Sequence, residues 1–124
     1  MEEKINYFFD SYAIIEIIKE NQNYRKYLEE DATITIFNLA EIYWSVLNYF
    51  EEDKAEVVYE KYKGATVEIP DEVLKKSIKF RKEHKKQNLS YTDCIGYIYA
   101  KENGLKFLTG DKEFKDFENV EFVK

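Results

Sequence analysis

The sequence predicts an α/β protein built on a parallel sheet of about five strands, with helices on both faces. Short apolar runs rich in β-branched and aromatic residues alternate along the chain with segments whose apolar residues recur at helical spacing. Hydrophobic residues make up 44% of the 124 residues, and one Pro and four Gly are too few for a low-complexity chain. Strands separated by helices are joined by right-handed crossovers, which gives a parallel sheet covered on both faces.

Five segments have the composition of strands. The first is an apolar run that ends at Asp10, and the second alternates β-branched residues. The predicted strands are 5–9, 33–37, 66–69, 106–108 and 120–123.

The segments between these strands have the apolar spacing of helices. Asn38 and Glu41 resemble a capping box, as do Ser90 and Asp93, and each pair predicts a helix start. Gly104 predicts the end of the last long helix. The predicted helices are 11–20, 23–30, 39–50, 53–63, 70–86 and 90–102, followed by a short turn or helix to 114.

The composition excludes several classes of protein. With 19 Lys and Arg against 25 Asp and Glu, the net charge is −6, which argues against binding nucleic acid mainly by bulk positive charge. An enzyme that reaches phosphates through a bound metal stays possible. One cysteine excludes an internal disulfide framework. No apolar run is long enough to span a membrane and the start lacks a basic signal region, so we expect a cytoplasmic protein.

Four acidic residues are expected at one edge of the sheet. Asp10 and Asp111 follow predicted strands, and Glu41 and Asp93 lie in the first turns of predicted helices. In a parallel sheet these positions all fall at the carboxyl ends of the strands, where ligands bind. The chain therefore brings four carboxylates from distant segments toward one place.

Four adjacent carboxylates repel one another and need a positive countercharge. Oxygen-only ligands, with no Cys or His among them, suit Mg²⁺ or Mn²⁺. Such an ion can bind a phosphodiester and activate water. Taken singly, Glu41 and Asp93 could equally serve as helix-capping residues, and Asp111 as a turn residue.

The acidic segments together resemble the PIN-domain family of metal-dependent ribonucleases, and most closely its VapC-type toxins. The resemblance covers the whole chain and keeps the order and spacing of the family's motifs. The segments that carry it are Phe8-Phe9-Asp10-Ser11, Asn38-Leu39-Ala40-Glu41, Leu89-Ser90-Tyr91-Thr92-Asp93-Cys94-Ile95 and Thr109-Gly110-Asp111-Lys112-Glu113-Phe114.

The resemblance implies a single PIN-like domain over 1–124, a three-layer α/β/α fold with strand order near 3-2-1-4-5. It implies an endoribonuclease that uses Mg²⁺ or Mn²⁺ to hydrolyse RNA, leaving a 5′-phosphate and a 3′-hydroxyl. It also implies a homodimer and an antitoxin partner. By the same resemblance the metal-binding and catalytic acids are Asp10, Glu41, Asp93 and Asp111, with Ser11 and Thr109 orienting them.

Other functions remain open from the sequence. A phosphoacceptor receiver domain would have paired acids after the first strand, and a haloacid-dehalogenase-type phosphatase would have D-x-D there, whereas Asp10 stands alone before Ser11 and Tyr12. An RNA-processing PIN nuclease outside toxin–antitoxin systems and a catalytically silent PIN-fold binding module are the main alternatives.

Overall fold

A parallel three-stranded sheet forms the centre of the structure, a computed structural model that describes residues 4–124. The strands lie in the order β1 (Tyr7–Phe9), β2 (Lys106–Thr109) and β3 (Val120–Phe122). β2 is therefore the central strand. Because it pairs in parallel with β1, residues 10 and 110, which follow the two strands, lie side by side. This alignment places the two strand exits at one edge.

The structure has three regular strands within the residues that it describes, instead of the predicted five or so. The two predicted strands at 33–37 and 66–69 form only one isolated parallel bridge, between Ile34 and Thr66. Their hydrogen bonds nevertheless extend the sheet beyond β1: the Phe9 amide donates to the Thr33 carbonyl at 2.9 Å, and the Val67 amide to the Ile34 carbonyl at 2.9 Å. The segments thus take the places expected of strands two and three without becoming regular strands.

Within residues 4–124, five α-helices surround the sheet. They begin and end close to the predicted positions, except that segment 23–30 is a 3-10 helix over Gln22–Tyr27 and the helix after residue 33 begins early. The helices are α1 (Ser11–Ile18), α2 (Ile36–Tyr49), α3 (Glu52–Tyr62), α4 (Asp71–Glu83) and α5 (Tyr91–Glu102).

The start of α2 differs from the prediction for a local reason. Thr35, not Asn38, is the N-cap: its hydroxyl accepts from the Asn38 amide at 3.3 Å, and the Asn38 side chain accepts from the Thr35 amide at 2.9 Å. This reciprocal pairing satisfies two amides that a helix start leaves unpaired. As a result, residues 36 and 37 are helical and do not belong to the predicted strand.

Two buried apolar clusters lie on opposite faces of the sheet, which gives three layers. One contains Phe9 and packs under α1, α2 and α3, and the other contains Phe8 and packs under α5. On that second face Gly96 lets α5 approach closely, because a Cβ there would lie 2.7 Å from the Phe8 ring. Among the described helices, none is long and apolar enough to cross a membrane.

Candidate active site

The four predicted acids lie at the carboxyl edge of the sheet, close enough for the charges of three of them to act on Asp10. Asp10 is only 3% exposed and is the N-cap of α1. Burial raises its pKa to about 8, and the charges of Asp93, Glu41 and Asp111 contribute to this rise, against the lowering effect of a hydrogen bond from Thr109. Each of the other three carboxylates is therefore near enough to disfavour ionisation of Asp10.

Asp10 is fixed by hydrogen bonds to both of its oxygens. Its Oδ1 accepts from the Ser11 amide at 2.9 Å, and its Oδ2 accepts from the Thr109 hydroxyl at 2.7 Å. The same Thr109 hydroxyl accepts from the Asp111 amide at 3.0 Å. Thr109 thus connects the acid after β1 to the acid after β2 through one buried hydroxyl.

Glu41 is oriented by a second chain of hydrogen bonds. The Ser11 hydroxyl donates to Glu41 Oε1 at 2.6 Å, and the Asn38 side-chain amide donates to the Ser11 hydroxyl at 2.9 Å. Asn38 is fully buried and is itself held by its pairing with Thr35 at the start of α2. The helix cap and the orientation of the acid therefore depend on the same side chain.

Asp93 is positioned by the first turn of α5. Its Oδ2 accepts from the Ser90 amide at 2.8 Å, and the Ser90 hydroxyl accepts from the Asp93 amide at 3.0 Å, as the predicted capping box requires. Burial raises the pKa of Asp93 to about 6 against the lowering effect of the Ser90 hydrogen bonds, and Asp111 and Glu41 raise it further. Asp93 therefore completes the capping box of α5 and also lies within range of the charges of Asp111 and Glu41.

Asp111 follows a close backbone approach at Gly110. A Cβ on Gly110 would lie 2.3 Å from the Val123 carbonyl oxygen and 2.3 Å from the Tyr12 ring. Only glycine fits between Val123, which follows β3, and Tyr12 of α1, so it sets the path of the turn. After the turn, Asp111 Oδ1 accepts from the Glu113 amide at 3.0 Å.

The charge of this acidic edge is not balanced by ion pairs among the described residues. None of the four acids takes part in an ion pair within residues 4–124. In that same range, no three His, Cys, Asp or Glu side chains are already grouped as the ligands of one metal ion. The candidate donors are all carboxylate oxygens, one buried and three half-buried, and hard divalent cations such as Mg²⁺ and Mn²⁺ prefer oxygen ligands of this kind.

Sequence reasoning missed the place of Asn38 in the site. It treated Asn38 as the helix N-cap, whereas Asn38 lies one turn inside and donates to Ser11, 27 positions away. The signal that identifies the cap is local: Thr35 precedes Asn38 by three residues. The contact with Ser11 has no sequence signal, because it depends on how α1 and α2 pack.

The other chemical groups that the sequence offers lie in structural roles. Cys94 is fully buried, and burial raises the pKa of its thiol to about 11. The His84 ring stacks on Phe80 with its centroid at 4.1 Å. Arg81 donates to the Leu89 carbonyl at 3.0 Å and covers the Tyr91 ring. Each of these groups is therefore engaged in packing or in a structural hydrogen bond.

Several solved structures share this fold. A toxin–antitoxin complex from Klebsiella pneumoniae is similar at 19% identity with a TM-score of 0.73, over 94% of this chain and 96% of that one. VapBC2 from Rickettsia felis, bound to a DNA fragment from its promoter, matches at 15% identity and a TM-score of 0.71, over 97% and 100%. FitAcB from Neisseria gonorrhoeae matches at 17% identity and 0.66, over 95% and 96%.

No curated protein matches the sequence. The similar solved structures have identities low enough that they establish the fold alone. The family model described as PIN domain matches residues 7–120, which is most of the sequence. This match confirms the resemblance drawn from the four acidic segments: the chain belongs to the PIN domain family.

Proposed function

We propose that this protein is a Mg²⁺- or Mn²⁺-dependent endoribonuclease that hydrolyses RNA phosphodiester bonds, and that it is the toxin of a toxin–antitoxin pair. The observation that carries the proposal is the convergence of Asp10, Glu41, Asp93 and Asp111 without a cationic partner, in a chain of the PIN domain family. The choice of RNA as substrate rests on the family resemblance of the motifs.

Each acid has a distinct structural basis for its role. Asp10 and Asp93 are the strongest candidates for direct metal ligands, since Asp10 is buried at a strand end, Asp93 is half-buried at a helix start, and the charge of Asp93 raises the pKa of Asp10. Glu41 and Asp111 complete the donor set from α2 and from the turn after β2. Ser11 and Thr109 hold Glu41 and Asp10 in fixed orientations, as residues behind a metal ligand do.

A divalent ion held by these carboxylates would neutralise charge on the scissile phosphate and lower the pKa of the attacking water. In hydrolysis, the water oxygen bonds to phosphorus, the P–O3′ bond breaks and the 3′-oxygen takes up a proton, so the products carry a 5′-phosphate and a 3′-hydroxyl. The chain contributes acids held in fixed positions by hydrogen bonds, with Asp10 buried and the other three half-buried at the edge that the substrate would reach.

The antitoxin has a candidate binding groove of about 640 Å³ between α1, the 3-10 helix and α3. Its lining includes the exposed apolar side chains of Leu28 and Val57, together with Arg25, Lys54 and Lys61 and one acid, Glu20. Three cations against one acid beside apolar side chains, in a chain of net charge −6, fit an acidic amphipathic peptide. The neighbours that are toxin–antitoxin complexes support a partner of this class.

The test of the chemistry is Asp10→Asn, which keeps the shape of the side chain and removes its charge. We expect cleavage of a labelled structured RNA with Mn²⁺ to fall by about 10²-fold or more, since metal ligands act together in charge stabilisation. Circular dichroism checks that the variant folds.

Asp116→Asn is the matched control, because Asp116 is an exposed acid on the turn that follows the site. It removes the same charge and should leave the cleavage rate within about twofold. A folded Asp10→Asn protein that cuts RNA at the wild-type rate contradicts the mechanism. A wild-type protein that cuts no RNA favours the catalytically silent binding module.

A further inference from the structure

The helix α4 and the turn that follows it are strongly basic. Residues 75–86 hold seven of the 19 Lys and Arg of the sequence, against a single acid, Glu83. This segment therefore carries a charge of +6 in a protein whose net charge is −6. Positive charge clustered on one segment of an acidic protein is typical of a local surface that binds anions.

Three of these basic residues form a row along the exposed side of α4. Lys75, Lys79 and Lys82, the lysine row, recur at intervals of four and three residues, which places them on one face of the helix. All three are exposed, and the residues that α4 buries, Val73 and Ser77, lie on the opposite face. Lysines at these spacings repel each other, so the row is unfavourable for the helix unless an anion lies along it.

Interactions within the protein do not explain the lysine row. None of its members takes part in an ion pair among the described residues, whereas Lys76, on another face of α4, pairs with Glu102 of α5. The helix dipole favours cations only in the last turn of a helix. It therefore explains Lys82, but not Lys75 and Lys79, which lie further from that end of α4.

The lysine row leads toward the acidic edge of the sheet. After α4 the chain continues through Lys86 to Ser90, whose amide donates to Asp93. The four residues from Lys86 to Ser90 span at most about 14 Å, even when fully extended. The C-terminal end of the basic segment therefore lies close to the acids, and the lysine row extends away from them along α4.

Arg81 lies at the junction between the lysine row and the acids. Its Nε donates to the Leu89 carbonyl at 3.0 Å, and its guanidinium lies 4.2 Å from the centre of the Tyr91 ring, so the side chain is fixed. The charge of Arg81 lowers the pKa of the Cys94 thiol and that of Asp93 raises it, so both charged groups lie near the first turn of α5. The contact with Leu89 uses one of five N–H donors, and a fixed guanidinium with further donors suits a phosphate group.

The lysine row fits a nucleic acid strand better than a protein surface. Leu74 and Ile78 are exposed on α4, but each precedes a lysine of the row by one position, which puts it about a quarter-turn away around the helix. A second copy that contacts Leu74 leaves the row at the rim, and by symmetry it brings the same positive charge. An amphipathic peptide needs apolar anchors, which the row lacks. A strand of phosphates repeats its negative charge at regular intervals and needs no such anchor.

We propose that the lysine row, together with Arg81 and the lysines of the following turn, is a phosphate-binding track that holds the RNA strand on one side of the scissile bond. This inference rests on the proposed nuclease function and adds the surface that binds the substrate away from the acids. Ammonium groups contact phosphates whatever the base sequence, so the track contributes affinity and orientation without sequence preference.

The salt dependence of RNA binding tests the track. The probe is a labelled oligouridylate whose fluorescence anisotropy is followed as the full chain is added, with Ca²⁺ in place of Mg²⁺ or Mn²⁺ so that the RNA stays intact, which a gel verifies. Each phosphate contact contributes about −0.7 to the slope of log K against log salt concentration for a single strand. The row variant, Lys75→Gln, Lys79→Gln and Lys82→Gln together, should therefore make the slope less steep by about 2. An oligoadenylate should show the same change.

Cleavage kinetics give the second measurement. The row variant should raise KM for RNA about tenfold and change kcat less than about threefold, because the row binds the strand without touching the reacting atoms. The matched control carries Lys4→Gln, Lys26→Gln and Lys63→Gln, which remove the same charge from exposed positions outside α4. It should keep the wild-type slope and both constants. Circular dichroism checks that both variants fold.

The outcomes separate this inference from the proposed function. If the wild-type protein cuts RNA but the row variant keeps its slope and KM, the track is wrong, the row is left to a protein partner, and the nuclease stands. Equal losses in the row variant and the control show an effect of net charge alone and also overturn the track. If the row variant has the less steep slope but the wild type cuts no RNA, the track stands and the proposed function is wrong. A wild-type protein that neither binds nor cuts RNA overturns both.

Discussion

Asp10 combines three properties that rarely occur together in one carboxylate: it is buried, it caps a helix, and it lies among three other acids. Hydrogen bonds from the Ser11 amide and the Thr109 hydroxyl hold it in place. The fold thus tolerates an unfavourable charge at one point because the surrounding structure fixes it there. A group of this kind makes the stability of the protein depend on pH.

Without metal, the melting temperature should fall as pH rises from 5 to 8. Burial and the neighbouring acids raise the pKa of Asp10 from 3.8 to about 8 and that of Asp93 to about 6. The folded protein therefore binds more protons than the unfolded chain in this range. The stability that results is fully present below pH 3.8 and is lost as pH rises through these two values. Circular dichroism melts in EDTA measure it.

Comparison with Asp10→Asn isolates the contribution of this one group. The variant should melt at a higher temperature than the wild type at pH 8, and its melting temperature should fall less between pH 5 and 8. Asp116→Asn should follow the wild type. Millimolar Mg²⁺ or Mn²⁺ should raise the wild-type melting temperature more at pH 8 than at pH 6, because metal and protons compete for the acids. Identical pH profiles for the wild type and Asp10→Asn would contradict this explanation.

At the residue scale, the sequence predicted the four acids because each follows a strand or opens a helix, and those positions are readable from local patterns. Ser11 and Thr109 were found through the family motifs. The prediction of Asn38 as the N-cap of α2 is wrong, since Thr35 is the cap. The hydrogen bond from Asn38 to Ser11 spans 27 positions and depends on tertiary packing, so it has no sequence signal. The assignment of the four acids as metal ligands stays a prediction.

At the scale of elements, the turn after β2 shows how little freedom the site has. The Val123 amide donates to the Thr109 carbonyl at 2.9 Å, which ties β3 to the last residue of β2. Gly110 then passes between Val123 and Tyr12 with no room for a Cβ. The position of Asp111 therefore depends on the constrained path of Thr109 and Gly110 just before it.

Gly110→Ala should disrupt the site by displacing this turn. The added methyl group would lie 2.3 Å from the Val123 carbonyl oxygen, a backbone atom that moves only if β3 moves. Overpacking of this kind costs about 1–3 kcal/mol, so we expect a melting temperature several degrees lower. RNA cleavage should fall about tenfold or more as Asp111 is displaced.

Gly64→Ala is the matched control, because a Cβ at Gly64 meets nothing within 4 Å. It should leave both the melting temperature and the cleavage rate close to those of the wild type. If Gly110→Ala melts and cleaves like Gly64→Ala, the turn has more freedom than its packing indicates, and Asp111 does not depend on it.

The long, periodic elements are predicted well, and so are the three strands that form the sheet, whereas segments 33–37 and 66–69 are not regular strands. α5 begins after Ser90 as its capping box predicts. Segment 33–37 has strand composition, but Thr35 ends the extended conformation by capping α2, and only Ile34 keeps a ladder partner. Two local preferences compete over five residues there, and the hydrogen bonds of the cap decide between them.

At the scale of the whole molecule, the alternation of strands and helices was enough to predict the layered fold and the edge where the acids meet. The surface was less predictable. Composition showed that aromatic residues are abundant, but which of them remain exposed depends on which helix faces pack against the sheet. Trp44 and Phe37 lie on α2 and are exposed, whereas Tyr43 packs edge-on against Tyr59 of α3.

We expect the protein to be a dimer in solution through an apolar cleft of about 480 Å³. Ile36, Phe37 and Leu74 are exposed around it. An apolar surface of this kind is typical of the centre of a protein interface. Light scattering at micromolar concentration should give twice the mass of one chain for the wild type, and one mass for Phe37→Asp.

Leu28→Asp adds the same charge at an equally apolar exposed position outside this cleft, so its dimer should persist. A wild-type protein that is monomeric at these concentrations contradicts the proposed homodimer. A Phe37→Asp variant that remains dimeric moves the interface to another surface.

The hydrogen bond from Thr109 to Asp10 joins residues 99 positions apart. During synthesis, the ribosome makes Asp10, Glu41 and Asp93 before β2 exists, and β2 must then enter the sheet beside β1 to bring Asp111 into place. A nascent chain therefore has three of the acids but no assembled site. Because domains fold as units as the chain emerges, the four acids come together only after β2 has been synthesised. Under the proposed nuclease function, the order of the segments therefore delays the onset of activity until the last acid-bearing segment is in place.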